Sequence, residues 1–302
     1  MSIPYFDCHC DTVFRCLHEG GELRKNRFHL DLERLSRFKC SAQVFAVCTE
    51  TLIDPVGKAS EMLSLLGYEL ARNSDIARLC LSFDDIKKAA AENKIAALIS
   101  LEGCEQLLSL EDAYARGVRI LHPTWNFDND LCGAAMASGS GLTRKGRDFI
   151  IRAQSMGFAL DMSHISEKGF WDVLETAKKP VIAGHSNSKA LCNVPRNLTD
   201  AQFSALVRLG GGAGINLCCD FLGFGRDIDA IAAHIEHFLS LGGEKSVFLG
   251  CDLDGIPCTP NGIDGVQSLG ELYNTLLRRN YPEVLVRDIF WNNIYRIMEK
   301  ML

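Results

Sequence analysis

The sequence predicts an α/β protein with the (β/α)8, or TIM, barrel fold. Three observations carry this prediction: eight short apolar segments recur along the 302 residues, helical patterns separate most of them, and polar residues gather where the segments end. Parallel strands that are buried on both faces give nearly continuous apolar runs, and eight alternations of strand and helix are typical of this barrel.

The candidate strands are rich in Val, Ile, Leu, Phe and Ala and show little polar alternation. They span residues 3–9, 42–48, 95–101, 118–122, 158–162, 180–185, 212–217 and 246–251. Their length favours strands, because helices of globular proteins mostly need about 10 residues or more.

Helical patterns follow several of these strands. Ile228, Ile231 and Ile235 lie on one face of a helix, because they are spaced three and four residues apart. Thr199 is a suitable N-cap residue for a helix over 201–209. We therefore predict a ring of helices around the barrel.

The chain is predicted to form a single domain over residues 1–302, because no Pro/Gly/Ser-rich linker divides it, with a helical extension from about 271 to 302 that packs outside the barrel. A net charge of −6 without a basic cluster argues against a nucleic-acid partner. No apolar run approaches the roughly 18 residues of a membrane span, and the N-terminus lacks a signal-peptide pattern. These features predict a cytoplasmic protein with no membrane partner, whose 13 Cys are reduced and mostly buried.

Polar residues at the predicted strand ends form the candidate site, because the active sites of such barrels lie at the carboxyl ends of the strands. His9 and Asp11 are two residues apart, so both side chains leave the first strand on the same face and can reach one metal ion. Cys8 and Cys10 are expected to point away from that face. The other strand ends supply Glu102, His122, His164, His185 and Asp252.

A lone His at a strand end is more often a structural residue, and a lone Asp there is often a helix cap. The convergence of the whole set on one barrel mouth favours a metal site instead; these ligands suit zinc, and Mn or Co could use them as well. Asp7 is expected to be a structural carboxylate deeper in the barrel. The remaining His are assigned structural roles, with the last two at the surface or the boundary of an amphipathic helix: His18, His29, His234 and His237.

Six short motifs stand in order along the chain. They are Asp7-Cys8-His9-Cys10-Asp11, Glu102-Gly103, Asp161-Met162-Ser163-His164, Gly184-His185-Ser186, Pro195-Arg196-Asn197 and Gly250-Cys251-Asp252-Leu253-Asp254-Gly255. Together they resemble the motifs of the renal, or membrane, dipeptidase family of zinc metallopeptidases. The resemblance runs from the first strand to about residue 265 and covers most of the chain.

The resemblance implies a hydrolase, specifically a metallopeptidase, that carries two zinc ions per chain. His9 and Asp11 would bind one ion, His164 and His185 the other, and Glu102 would bind both. A hydroxide between the ions would attack the scissile carbonyl of the substrate.

The resemblance also implies a dipeptide substrate and a homodimer. Arg196 would bind the C-terminal carboxylate of the dipeptide, a task that suits the planar guanidinium group. Asp252 would contact the amino group and pass a proton to the leaving amine.

At one place the chain departs from the family pattern. The Thr-His-Asn of the renal enzymes, whose His is assigned to stabilising the oxyanion, corresponds here to Thr124, Trp125 and Asn126. His122 is one candidate for that catalytic role, and Asn126 or the metal ions are the others. The departure bears on the substrate range more than on the reaction class.

Two rival functions stay open. A related barrel amidohydrolase would act on another amide or on an ester, but most such enzymes begin with His-x-His and often share a modified Lys between their metals. A non-catalytic metal-binding barrel would have lost a ligand, whereas all five predicted ligands are present. Trp125 is the only residue that favours this second rival.

Overall fold

The computed structural model of the chain describes residues 2–302. Its strands are β1 (Tyr5–Cys10), β2 (Ser41–Val47), β3 (Ala77–Leu79), β4 (Ile95–Glu102), β5 (Val118–His122), β6 (Ala159–Leu160), β7 (Ile182–Ala183), β8 (Gly212–Ile215) and β9 (Val247–Leu249). Eight of them pair in parallel in the order β6-β5-β4-β2-β1-β9-β8-β7. A parallel bridge between Asp161 and Ile182 joins the two ends of this order, so the sheet forms a nearly closed ring. The predicted barrel is confirmed.

The helices alternate with the strands. They are α1 (Thr12–Glu19), α2 (Leu32–Leu35), α3 (Pro55–Arg72), α4 (Phe83–Ala91), α5 (Leu110–Ala115), α6 (Arg144–Met156), α7 (Glu167–Thr176), α8 (Asp200–Arg208), α9 (Cys219–Leu222), α10 (Ile228–Ser240), α11 (Leu269–Arg278), α12 (Glu283–Arg287) and α13 (Asn293–Met301). One π-helical turn, Asp288–Asn292, joins α12 to α13. Within the described residues, no helix combines the length and the apolarity that crossing a lipid bilayer requires.

The start of α8 shows how the sequence sets a boundary. Thr199 accepts a hydrogen bond from the backbone N–H of Gln202, and the Gln202 side chain accepts one from the backbone N–H of Thr199. This reciprocal capping box satisfies two N–H groups that a helix start leaves unpaired. The predicted cap at Thr199 is confirmed.

Several strands are shorter than their apolar runs predicted, most of all β6 and β7, and one strand was missed. β6 and β7 hold only two residues each, because Asp161 Oδ1 accepts from the backbone N–H of Gly184 at 2.8 Å, so a side chain continues the pairing there. β3 pairs only with β4 and lies off the ring. It has three residues, two of them half-buried, and no apolar run that would predict it.

The barrel end at which the strands begin is filled with apolar side chains, here called the bottom cluster. Its strand members are Phe6, Cys8, Ala42, Val44, Ala96, Leu98, Ile120, Ala159, Ile182 and Phe248, and its members from the C-terminal segment are Trp291, Ile294, Ile297, Met298 and Met301. The C-terminal segment therefore covers the bottom of the barrel and excludes water from it. The opposite end, the mouth, is left for polar groups.

Candidate metal centre and substrate cavity

A β-bulge brings the end of β1 into the mouth. The register of β1 against β2 shifts between Asp7 and Cys10. Asp7 Oδ1 accepts hydrogen bonds from the backbone N–H groups of His9 at 3.2 Å and Cys251 at 2.8 Å, so this carboxylate holds the bulge from behind. A bulge changes which residues face each side of a sheet. Cys8 lies in the bottom cluster together with Phe6, as regular alternation along β1 places it, whereas Cys10 packs in the outer core. The prediction that both point away from the side of His9 was wrong for Cys8.

Glu102, the last residue of β4, lies between two groups of possible ligand atoms. Its Oε1 is 3.0 Å from Nε2 of His164 and 3.3 Å from Nε2 of His185. Its Oε2 is 3.5 Å from Nε2 of His9, which is itself 3.3 Å from Asp11 Oδ2. The carboxylate offers one oxygen to each group, as a carboxylate shared by two metal ions would.

These donor atoms are buried and fit a cation. His9 Nε2 and Glu102 Oε1 have no hydrogen-bond partner, and both residues are at most 2% exposed. Burial lowers the pKa of His164 to about 4 and holds that of His185 well below its usual value, so both rings are neutral with lone pairs available. Their Nε2 atoms are only 3.0 Å apart. Buried polar atoms without partners cost folding free energy, which a bound cation would offset. Histidine nitrogens and carboxylate oxygens are ligands that suit zinc.

Asn126 sets the tautomer of His164. The Nδ1–H of His164 donates to Asn126 Oδ1 at 2.9 Å, which leaves the Nε2 lone pair directed at Glu102. The neighbouring Trp125 lies on the cavity wall with its ring centroid 6.2 Å from that of His164. Asn126, predicted to contact the substrate, thus lines the cavity and also orients a ligand.

His122 lies below these groups, fully buried and not on the cavity wall. Its Nδ1 is 3.7 Å from Glu102 Oε1, and its Nε2 is 3.6 Å from Asp161 Oδ2. Together with His185 these residues form a deeper cluster of possible ligand atoms. His122 thus shares with His9 and His185 a fully buried position that does not line the cavity, and its role as a catalytic residue stays a prediction.

The loop after β9 brings Asp252 to the mouth, with Oδ1 3.9 Å from Nε2 of His9. Burial raises the pKa of Asp252 to about 7; the charge of His9 opposes this shift, and that of Asp11 adds to it. Asp252 and His164 both have positive φ, 60° and 71°, which L-residues rarely adopt. Such strained residues concentrate at functional sites.

A glycine allows the β9 loop to approach β1. A Cβ at Gly255 would lie 2.2 Å from Asp11 Oδ2 and 2.6 Å from Asp252 Oδ1, so a larger residue would displace one of these carboxylates. Asp254 anchors the same loop, because its Oδ2 accepts from Thr12 Oγ1 at 2.5 Å. In the last motif of the sequence, Asp252 therefore faces the cavity, while Asp254 and Gly255 position the loop that carries it.

A cavity of about 260 Å3 opens above the ligand groups. Arg196 on its wall is 4% exposed, and its Nε and Nη2 have no hydrogen-bond partner. The guanidinium group lies 5.4 Å from the ring centroid of Phe221. A buried cation with unpaired donors beside a cavity is a receptor for an anion such as a carboxylate. The apolar part of the wall consists of Trp125, Met136, Phe221, Ile256 and Pro257.

The structure thus gathers all the predicted site residues at one mouth. His9, His122 and His185 lie behind the residues that line the cavity, and the other predicted site residues are on its wall. Sequence reasoning missed Asn216, whose Nδ2 donates to Asp252 Oδ2 at 2.8 Å. Its position directly after β8 was the available signal. The surface or boundary position predicted for His234 was wrong, because the residue is fully buried. Its bonds are those of a structural residue: Nδ1 accepts from the backbone N–H of Ser188 at 3.1 Å, and Nε2 donates to the Leu222 carbonyl.

Comparison with known proteins gives a match over nearly the whole length. The family model described as membrane dipeptidase (peptidase family M19) matches residues 1–301. The protein from the pqqA 5' region of Klebsiella pneumoniae is 34% identical over 265 residues, which cover 82% of this chain and 97% of that protein.

Two solved structures share the fold over their full length. A metallo peptidase from Rhodobacter sphaeroides, liganded with a phosphinate mimic of the dipeptide L-Ala-D-Ala, has a TM-score of 0.90 at 25% identity, with 100% of both chains covered. The dipeptidase AC, a metallo peptidase of family M19, has a TM-score of 0.89 at 27% identity, with 100% of this chain and 99% of that chain covered.

Proposed function

Because the chain belongs to the membrane dipeptidase family, peptidase family M19, we propose that it is a binuclear zinc-dependent dipeptidase. One observation carries the proposal: the buried, unpaired guanidinium group of Arg196 lies on the same cavity as Glu102, whose two oxygens face two groups of ligands. A carboxylate receptor this close to a metal centre suits a substrate whose C-terminus is close to its scissile bond, as in a dipeptide.

The ligand geometry suggests how two ions would be held. His9 and Asp11 would hold one zinc ion, His164 and His185 the other, and Glu102 would bind both. When bound, the two ions supply an activated water and a Lewis acid for the scissile carbonyl. The protein supplies the fixed positions of the five ligands, which are all at most 8% exposed.

Arg196 and the cavity size would select the substrate. The guanidinium group would donate two parallel N–H bonds to the C-terminal carboxylate of the dipeptide. A volume of about 260 Å3 lies below the usual range for drug-sized ligands, which is about 300–1,000 Å3, and therefore favours a small substrate. The phosphinate mimic of L-Ala-D-Ala in the Rhodobacter sphaeroides protein supports a ligand of this size.

Asp252 would move the proton. Asn216 occupies its Oδ2, so its Oδ1 is the oxygen available to the substrate. Asp252 would accept the proton released by the attacking water and donate it to the leaving nitrogen as the carbon–nitrogen bond breaks. We assign no substrate contact to His122.

Trp125 favours a second candidate, the hydrolysis of another amide or of an ester in the same cavity. Its indole lies beside His164, at the position where the renal enzymes have the His assigned to the oxyanion. A flat apolar ring there changes the shape and polarity offered to the substrate while the five ligands are retained. A non-catalytic barrel is the weaker rival, because all five predicted metal ligands are present and buried at the mouth.

The test is to purify the protein without chelator, measure bound metal by elemental analysis, and follow hydrolysis of L-L and L-D dipeptides with and without zinc. Two metals per chain with dipeptide turnover would support the proposal. Arg196→Met should then lower kcat/KM by about 10–100-fold, mainly through KM, because a charged hydrogen bond is lost. For a dipeptide amide, which lacks the carboxylate, the same substitution should lower kcat/KM by a smaller factor.

The other outcomes separate the candidates. Two metals without turnover of any dipeptide would reject the dipeptidase and leave the second candidate, to be tested on N-acyl amino acids and esters. A chain that binds no metal and has no turnover would overturn the metal-dependent proposal altogether.

A further inference from the structure

Two buried amide side chains lie between the groups that would read the two ends of a dipeptide. Asn187 follows β7 and Asn216 follows β8, and both are fully buried. The backbone N–H of Asn216 donates to Asn187 Oδ1 at 2.9 Å, and Asn187 Nδ2 donates to the backbone carbonyl of Asn216 at 2.8 Å. These two reciprocal bonds lock the Asn187–Asn216 pair into one orientation.

One side of the pair holds Asp252. Asn216 Nδ2 donates to Asp252 Oδ2 at 2.8 Å, while Asn216 Oδ1 accepts from the backbone N–H of Cys218 at 2.6 Å. The second bond fixes which way the amide points, because a flipped amide would turn an oxygen toward the carboxylate. Asp252 Oδ1 therefore stays directed at the cavity, 3.9 Å from His9 Nε2.

The other side of the pair holds the segment that carries Arg196. The backbone N–H of Leu198, two residues after Arg196, donates to the backbone carbonyl of Asn187 at 2.8 Å. Asn197 Nδ2 donates to the carbonyls of Cys192 and Phe221, both at 2.9 Å. Nε and Nη2 of Arg196 have no hydrogen-bond partner, so the anchoring of its backbone and the contact of its guanidinium group with the Phe221 ring set their position.

We propose that the Asn187–Asn216 pair sets the separation between Arg196 and Asp252 and thereby makes the enzyme selective for unblocked dipeptides. The inference rests on the proposed function, in which Arg196 binds the carboxylate and Asp252 the amine. A dipeptide presents these two charges on either side of a single peptide bond. An N-acylated dipeptide lacks the charged amine, and a tripeptide separates the charges by one more residue.

Neither Asn is expected to touch the substrate, so both are positioning residues. Their effect passes through the geometry of two groups, and a displacement of about 1 Å can cost about 10²-fold in rate. A purely structural role would lower stability and leave the ratio between substrates unchanged. The ratio of kcat/KM values is therefore the informative measurement.

The experiment compares kcat/KM for Ala-Ala, N-acetyl-Ala-Ala and Ala-Ala-Ala in the zinc-loaded wild type and in Asn187→Ala, which removes the pair without altering Arg196 or Asp252. We expect kcat/KM for Ala-Ala to fall by about 10²-fold, and the preference for Ala-Ala over both other peptides to fall about 10-fold, with bound zinc unchanged. If the Ala variant does not fold, Asn187→Asp replaces it, because this variant keeps the acceptor for the Asn216 N–H. It should lose part of the preference for Ala-Ala over the other two peptides.

Asn293→Ala is the matched control. Asn293 is also fully buried, but it lies at the bottom, where its Nδ2 donates to the carbonyls of Glu244 at 2.9 Å and Val247 at 2.7 Å. Its variant should unfold more easily and keep the wild-type preference. An unchanged preference in both Asn187 variants, with active wild type, would overturn the role of the pair alone. A wild type that turns over none of the three peptides would overturn the proposed function, and this inference with it.

Discussion

The two ends of the barrel bury their side chains equally well but satisfy them differently. At the bottom, Asn293 uses both amide protons on backbone carbonyls, and its neighbours in the bottom cluster are apolar. At the mouth, His9, Glu102 and Arg196 are equally buried and keep nitrogen or oxygen atoms without a partner.

This difference indicates that the bottom stabilises the fold and that the mouth provides groups able to bind a ligand. Apolar burial at the bottom stabilises the fold in proportion to the area removed from water. Buried donors and acceptors without partners at the mouth lower the stability of the fold, and the bonds they form with a bound ligand offset this cost. In barrels of this type, polar groups at the carboxyl ends of the strands serve function, and the opposite end serves stability.

The largest effect is expected for His185→Ala at the mouth. This variant should lose bound metal and lower kcat by about 10³-fold or more, since several kcal/mol of transition-state stabilisation depend on the ions. Elemental analysis and dipeptide turnover check both parts, with circular dichroism to confirm folding. A variant that keeps two metals and wild-type turnover would remove His185 from the site.

The matching change at the bottom is Ile294→Ala. Ile294 is fully buried in the bottom cluster, so its truncation should lower the free energy of unfolding by about 2–5 kcal/mol. Urea unfolding measures this loss, and kcat of the folded variant should equal that of the wild type. A fall in kcat without a loss of stability would contradict the division between the two ends.

A satisfied polar group near the mouth should act on stability through pH. Burial lowers the pKa of His234 to about 4, opposed by its bond to the Leu222 carbonyl, whereas the unfolded chain has a value near 6.5. The unfolded state therefore binds the proton first as pH falls, so stability that is complete above pH 6.5 is lost down to about pH 4, by about 3 kcal/mol in total.

His234→Gln tests this contribution, because Gln can accept from Ser188 and donate to Leu222 without titrating. The stability of the variant, from urea unfolding between pH 7 and 4.5, should fall less steeply than that of the wild type. Parallel curves for the two proteins would mean that His234 does not contribute to the acid sensitivity.

The smallest effect is expected for Asn126→Ala, which removes the acceptor for the Nδ1–H of His164. Loss of such an orienting partner should weaken zinc affinity by about 10–100-fold. Competition with a chelator of known affinity measures it, and Asn126→Asp, which keeps an acceptor, is the control. Equal affinity in all three proteins would show that the orientation of His164 has another source.

Much of this architecture was predictable because its signals are local. The eight apolar runs lie on the eight barrel strands, and Thr199 announces α8 through its own hydrogen bonds. β3 escaped prediction, since three residues, two of them half-buried, carry no apolar pattern. The homodimer and the cytoplasmic location stay predictions.

Other features could not be predicted because they depend on contacts between distant segments. The bulge between Asp7 and Cys10 is held by a hydrogen bond that Asp7 Oδ1 accepts from the backbone N–H of Cys251. The burial of His234 depends on the Ser188 segment that covers it, whereas its own helix pattern indicated a surface or boundary position. The residue pattern of a helix records that a side chain is polar but holds no information on the distant segment that packs over it.

The sequence by itself determined the elements and the identity of the reactive groups, since propensity and apolar spacing act within a few residues along the chain. Only the tertiary structure decided the distances on which the chemistry depends. Glu102 reaches ligands from β1 and from the segments after β6 and β7, and Asp252 is oriented by Asn216, the residue after β8. Hydrogen bonding and metal binding are sensitive to a few tenths of an ångström, and spacing along the chain does not specify distances that finely. The packing of the whole barrel sets them.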